Sequence, residues 1–177
     1  MSAENAPERA RWAVELLHVR PSDHVLEIGC GPGYAVALVC ARLTRGTITA
    51  IDRSPVAVAR ARERNRACIA AGRVHIEHAS LATAALGRRF RKAFAINVNA
   101  FWTSPPAALE ALARLVHPQG SAYLVYEPPT AGRLRALRDS LPARLEENGF
   151  RVTAVRVERF RSSYGLCVIG HAPPSQR

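Results

Sequence analysis

VLEIGCGPGYA, Val25 to Ala35, runs from apolar, strand-forming residues into three glycines, Gly29, Gly31 and Gly33, spaced two apart. Glycines in that arrangement let a backbone turn sharply and approach a ligand closely. A phosphate loop of the P-loop type needs Lys and Ser/Thr after its last glycine, and Tyr34 and Ala35 stand there instead. A dinucleotide fingerprint, G-x-G-x-x-G, needs its third glycine at position 34. That position is tyrosine, and Pro32 stiffens the turn.

The elements on either side of this loop alternate. A helix is expected over 7–19, with Trp12, Leu16 and Leu17 at helical spacing, then a strand over 24–29 entering the glycines. A helix over 34–45, stopped by Gly46, precedes a strand over 47–52. Ser54 and Pro55 supply an N-cap and a first-turn proline for a helix ending near Gly72. There follow a strand over 74–79, a short helical piece over 80–86, a strand over 92–98 and a helix over 105–116 closed by Pro118 and Gly120. A strand over 121–127 leads to a helical segment over 128–149 that Pro142 should break in two. Strands over 150–160 and 165–172 have no helix between them and read as a hairpin. Strand–helix alternation argues for a mostly parallel sheet with helices on both faces, the hairpin adding an antiparallel last strand. One domain over 1–177 accounts for the whole chain, with residues 1–20 forming an N-terminal helix over the site and 173–177 a frayed tail.

Composition narrows the class. The net charge is +11, and Lys92 is the lone lysine among 25 basic residues. The arginines are scattered, which suits general solvation as well as a basic binding face. Five Phe, two Trp and four Tyr give no extended base-stacking platform. The polar start, MSAENAPERARW, lacks the apolar core of a secretory signal, and no run is long enough to span a membrane, so the reading is a cytoplasmic protein with no membrane partner. Cys30, Cys40, Cys68 and Cys167 form no C-x-x-C pair and no cluster with histidines, so they are expected to be reduced thiols with no metal.

Two acids say what the loop holds. Glu27, two residues before Gly29, would repel a pyrophosphate and suits a cation. Asp52 closes the second strand, where an acid can accept both hydroxyls of a ribose. The helix starting near Tyr34 offers amide groups to a carboxylate. A ribose, a cationic group and a carboxylate without a pyrophosphate are the features of S-adenosylmethionine.

The segments VLEIGCGPG, AIDRSP, AFAINVNAFW and LARLVHPQGSAYLVYEPP resemble the class I S-adenosylmethionine-dependent methyltransferases, from about Arg11 to Ala172. The resemblance implies a Rossmann-like α/β fold: a seven-stranded, mostly parallel sheet with an antiparallel last strand and helices on both faces. It implies S-adenosylmethionine as cofactor, S-adenosylhomocysteine as product, and no metal. By the same resemblance Glu27 contacts the methionine amino group, and Gly29, Cys30, Gly31 and Gly33 lie under the methionine and ribose. Asp52 binds the ribose, with Arg53 beside the adenine. His78, Ala79 and Ser80 stand where the family holds the adenine, His78 replacing the usual Asp. Arg91 replaces an Asp that commonly precedes the fourth strand.

Asn97 lies where cofactor and acceptor meet, and Glu127, after the fifth strand, is the candidate general base. No Asn-Pro-Pro-Tyr motif marks a nucleobase amine as the acceptor. Thr130 to Ser140, carrying Arg133, Arg135 and Arg138, is the candidate lid over an anionic acceptor. The expected reaction is direct displacement onto an O, N or C nucleophile of a small molecule. An RNA or protein methyltransferase using the basic surface is one alternative, and a cofactor-binding partner without catalysis is another.

Overall fold

Residues 5–172 are described in the structure, a computed structural model. The tail over 173–177 lies outside the described residues, as does the start of the 1–20 segment. Seven strands form one sheet: β1 His24–Ile28, β2 Thr47–Asp52, β3 Val74–His78, β4 Phe90–Ile96, β5 Val116–Tyr126, β6 Arg151–Arg159 and β7 Tyr164–His171. Their order is β3-β2-β1-β4-β5-β7-β6. The first five run parallel, and β7 is antiparallel to both β5 and β6. The expected fold and the terminal hairpin are therefore both present.

The helices are α1 Glu8–Leu16, α2 Tyr34–Cys40, α3 Pro55–Arg64, α4 Arg66–Ala70, α5 Ala100–Thr103, α6 Pro105–Leu115 and α7 Ala131–Glu147. Alternate strand residues serve opposite faces, as the period of two in a strand requires. Leu26 and Ile28 pack with Leu109 and Leu112 of α6 and Leu141 and Leu145 of α7. Val25, Ile48 and Ala50 pack with Val14 of α1 and Val36 and Val39 of α2 on the other side. Burial on both faces explains why the central strands read as continuous apolar runs.

The structure departs from the expected elements at five places. α2 stops at Cys40 because the chain then turns back: the amides of Thr44, Arg45 and Gly46 all donate to the carbonyl of Pro21. The helix expected up to Gly72 is split at Asn65, whose φ of −104° and ψ of 16° leave the helical region while its Nδ2 donates to the carbonyls of Ala61 and Gly33. Residues 80–86 hold a turn, not a helix, closed by Thr83 N–H on the Ser80 carbonyl; the segment is too short to nucleate more. Pro118 and Gly120 do not follow the α6 helix as a loop but lie inside β5, with a register shift against β4 between Phe90 and Lys92. α7 is continuous through Pro142. The proline forfeits one amide donor, yet Leu137, Leu141 and Leu145 are buried on one stripe spanning it, and that packing holds the helix together.

The four cysteines are not all reduced. Cys40 and Cys68 form a disulfide joining the end of α2 to α4 across 28 residues of sequence, with Cα atoms 6.6 Å apart. The break at Asn65 starts the short helix that carries Cys68, and no sequence spacing announces it. Cys30 and Cys167 are free and buried. Among the described residues no helix is long and apolar enough to cross a membrane.

Candidate functional site

The glycine loop is held by its own amides. Gly29 and Cys30 N–H donate to the Ile51 carbonyl at 2.8 and 3.1 Å, and Gly33 N–H donates to the Cys30 carbonyl at 3.0 Å. Gly31 N–H donates to Asp52 Oδ2 at 2.8 Å. Pro32 has no amide, so the donors that a phosphate cradle would present are already engaged within the protein. Gly29, Gly31 and Gly33 have φ of 70°, 52° and 77°. At Gly29 a Cβ would lie 2.6 Å from Val98 Cγ2, so glycine is required there on two grounds. From the other side α3 clamps the loop: Arg64 donates to the Pro32 carbonyl and its guanidinium lies 3.7 Å over the Tyr34 ring. Sequence reading passed over this clamp because Arg64 and Asn65 sit in a run of solvated arginines.

A cavity of about 560 Å³ opens above the carboxyl ends of β1, β2 and β4. The sheet order reverses between β1 and β4, the position where open α/β sheets bind ligands. Gly29, Asp52, Arg53, Ala79, Ser80 and Asn97, all expected at the site, line it. So do Thr103, Ser104, Ala107 and Ala108 of the α5–α6 corner, which were not expected. Small residues there make room, but nothing in their spacing says which face they occupy.

Asp52 is the organising acid. Its Oδ2 accepts from Gly31 N–H, and its Oδ1 accepts from Ser54 N–H at 2.9 Å. A carboxylate offers about four acceptor directions, so two remain for vicinal hydroxyls. Glu27 is 2% exposed, and its Oε2 has no hydrogen-bond partner among the described residues. Burial, together with the nearby charge of Asp52, raises its pKa well above the ordinary carboxylate value. An unpartnered buried carboxyl beneath the loop is the feature a ligand cation would complete. Cys30 Sγ leans on the Gly31 carbonyl at 3.7 Å, and burial followed by the charges of Glu27 and Asp52 pushes its thiol up, away from nucleophilic character.

His78 does not line the cavity. Its Nε2 lies 3.0 Å from the Arg53 carbonyl, and since a carbonyl only accepts, that nitrogen carries the proton. Phe101 is buried in the core, and Tyr126 donates its hydroxyl to the Val98 carbonyl at 2.8 Å; burial raises the Tyr126 pKa.

Glu127 is not an open base. Its Oε2 takes Arg9 at 2.7 Å and its Oε1 takes the Ser163 hydroxyl at 2.6 Å. Burial alone would raise its pKa, but the hydrogen bonds from Ser163 and Arg9 and the Arg9 charge outweigh it, and the net shift is downward. It lines a separate cavity of about 530 Å³, bounded by Pro128 to Ala131 and by the β6–β7 turn. The lid arginines are partly tied down: Arg133 lies 3.3 Å over the Trp102 ring and Arg138 pairs with Asp139 at 3.0 Å. α1 packs against α2, β4 and β5, and none of its residues lines the larger cavity. Among the described residues no group of His, Cys, Asp and Glu could hold a metal ion.

Residues 25–120, more than half of the chain, match the methyltransferase domain family. The chain belongs to that family, and its sheet order and loop are those of the class I S-adenosylmethionine-dependent methyltransferases. Trans-aconitate 2-methyltransferase of Escherichia coli O157:H7 (strain EC4115 / EHEC) is 48% identical over 60 residues, 32% of this chain and 24% of that protein. The match thus spans about a quarter of the curated relative's length.

Among solved structures, magnesium protoporphyrin IX methyltransferase from Synechocystis PCC 6803 with bound SAM superposes with a TM-score of 0.68 at 18% identity, over 92% of this chain and 76% of that one. A putative methyltransferase in complex with the Haloferax volcanii Trm112 activator gives 0.78 at 16% identity, over 96% and 90%. The cyclase SpnF also gives 0.78, at 15% identity, over 99% and 86%. These likenesses establish the fold, and the cyclase among them shows that the fold alone does not fix the reaction.

Proposed function

We propose that the protein transfers a methyl group from S-adenosylmethionine to a small-molecule nucleophile, with residues 5–172 acting as one catalytic unit. The observation that carries this reading is the cavity at the reversal of strand order, floored by Gly29 and walled by Asp52 and Asn97. The donor fits the groups present. Asp52 retains acceptor capacity for the ribose hydroxyls, Glu27 answers the amino group, and Gly29 admits backbone contact. Arg53, Ala79 and Ser80 border the adenine. Bound there, S-adenosylmethionine would supply an electrophilic methyl carbon on a sulfonium to the acceptor's nucleophilic atom.

The chain's own contribution is placement. A displacement of this kind needs its two partners in line, and rigid positioning lowers its barrier. The loop fastened to β2 and α3 provides that rigidity on the donor side. Asn97 sits between the donor cavity and the end of β5, where an acceptor can approach. Glu127, held by Arg9 and Ser163, acts as a strut and not as the proton acceptor. A small molecule as acceptor is favoured by the relative named for trans-aconitate.

Calorimetric titration with S-adenosylmethionine and S-adenosylhomocysteine, followed by labelled-methyl transfer to fractionated small molecules, tests the reading. Binding of both, lost in Asp52→Ala, is expected. Wild-type protein that binds neither would remove the donor assignment.

A further inference from the structure

The cavity of about 530 Å³ beside β5 takes no part in holding the donor. Its lining includes the apolar Pro128, Pro129, Leu134 and Phe160 together with Arg159 and Arg161. Both arginines are exposed, and neither guanidinium has a hydrogen bond or ion pair among the described residues. The lining carboxylate, Glu127, is neutralised by Arg9, and its second oxygen is occupied by the Ser163 hydroxyl. Glu8 faces the same turn, but its Oε2 accepts from the Arg161 backbone amide at 3.2 Å. Glu8 keeps its charge, but Arg9, Arg159 and Arg161 against Glu127 and Glu8 leave the surroundings of the cavity net positive.

Ser162 and Tyr164, two hydroxyl-bearing residues, also line it. The first turn of the 17-residue helix α7 enters the wall at Thr130 and Ala131, adding its partial positive end. Cationic forks, hydroxyl donors and apolar lining residues together suit a small organic anion and disfavour a cation. The two cavities share one partition. Asn97 lines the larger and Glu127 the smaller, and the Glu127 amide donates to Asn97 Oδ1 at 2.8 Å.

We infer that this second cavity anchors the methyl acceptor through an anionic group, a carboxylate or a phosphate, with Arg159 and Arg161 as the recognising pair. The inference rests on the methyl-transfer reading for the word acceptor, though the anion site itself does not. The acceptor lies with its charged end under the β6–β7 turn and its nucleophilic end past Asn97, toward the donor.

The test is calorimetric titration, at fixed ionic strength, of citrate and separately of inorganic phosphate into protein saturated with S-adenosylhomocysteine and into protein without it. Citrate or phosphate binding that weakens at least tenfold in the double variant Arg159→Gln, Arg161→Gln, with S-adenosylhomocysteine affinity unchanged, is expected. The stronger of the two ligands identifies carboxylate or phosphate as the group. The single variants repeat the measurement should the double one fold poorly. Arg45→Gln with Arg60→Gln, exposed and lining neither cavity, should leave anion binding unaltered; an equal loss there would assign the effect to the overall charge and overturn the inference. Binding of neither anion to protein that takes S-adenosylhomocysteine would also overturn it while leaving the donor reading intact. Anion binding dependent on Arg159 and Arg161 in protein that takes no S-adenosylhomocysteine would support the anion site and remove the donor reading.

Discussion

Asn97 Oδ1 accepts the Glu127 backbone N–H at 2.8 Å, tying the end of β4 to the end of β5 from a backbone with φ of 55°. Its own amide donates to the Val125 carbonyl at 2.8 Å, so the residue is fixed from both sides. A non-glycine residue in the left-handed region costs about 1 kcal/mol, less for asparagine than for most. Asn97→Ala should therefore lose about 1–2 kcal/mol of stability, from backbone strain and the missing acceptor. Asn97→Gly should lose less, because it keeps the conformation. Urea unfolding ranks the variants, and a glycine variant no more stable than the alanine one would remove the strain argument.

Asp52 joins the loop to the β2 end through Gly31 and Ser54. Asn at this position keeps one acceptor oxygen and turns an NH2 group toward the other amide. Losing a charge-assisted hydrogen bond, worth about 1.5–3 kcal/mol, should raise the dissociation constant for S-adenosylhomocysteine roughly 10- to 100-fold in Asp52→Asn. Calorimetry reads this directly, and an unchanged constant would take Asp52 out of the site.

The sheet was legible because its central strands carry their own signature. VLEI and TITAID are short apolar runs bounded by turn residues, and each is a strand within one residue of its expected end. The loop and Asp52 were legible because their chemistry is written in adjacent residues. What sequence could not supply was side-chain partnership over long separations. Glu127 reads as a free carboxylate until Arg9, 118 residues away, is seen to hold it. Cys40 and Cys68 read as unrelated thiols until the break at Asn65 is known. Pro142 reads as a helix break because local rules weigh one lost hydrogen bond, whereas the buried stripe of Leu137, Leu141 and Leu145 decides the outcome.

Glu27 sets a pH dependence. Its folded-state pKa lies well above the 4.5 of an unperturbed glutamate, because of burial and then Asp52. The stability this group contributes is full below that ordinary value and is lost as pH rises through the folded pKa, since the unfolded chain gives up the proton first. Glu27→Gln avoids that loss. It should melt above wild type at pH 8, with the difference shrinking as pH falls toward 4.5. The same variant should bind S-adenosylhomocysteine more weakly, for want of a negative charge opposite the amino group. Wild type should release a proton on binding, seen as a dependence of the binding heat on buffer ionisation, and the variant should not. A stability gap that widens on acidification would contradict the assignment.

The thiols give a count that can be checked in a cuvette. Cys30 and Cys167 are buried, and burial pushes the Cys167 thiol to about 12 and raises that of Cys30, so neither presents a thiolate at neutral pH. Native protein should therefore react slowly with an aromatic disulfide reagent. Unfolded but unreduced protein should show two thiols, and reduced unfolded protein the four of the sequence. Closing a loop across 28 residues restricts the unfolded chain by about 3–4 kcal/mol on the loop-entropy relation. Reduction, or the paired change Cys40→Ala with Cys68→Ala, should lower the unfolding free energy by an amount of that order. Four reactive thiols in the unfolded, unreduced protein would show that the link between α2 and α4 is not made in solution, and the stability loss on reduction would then be absent as well.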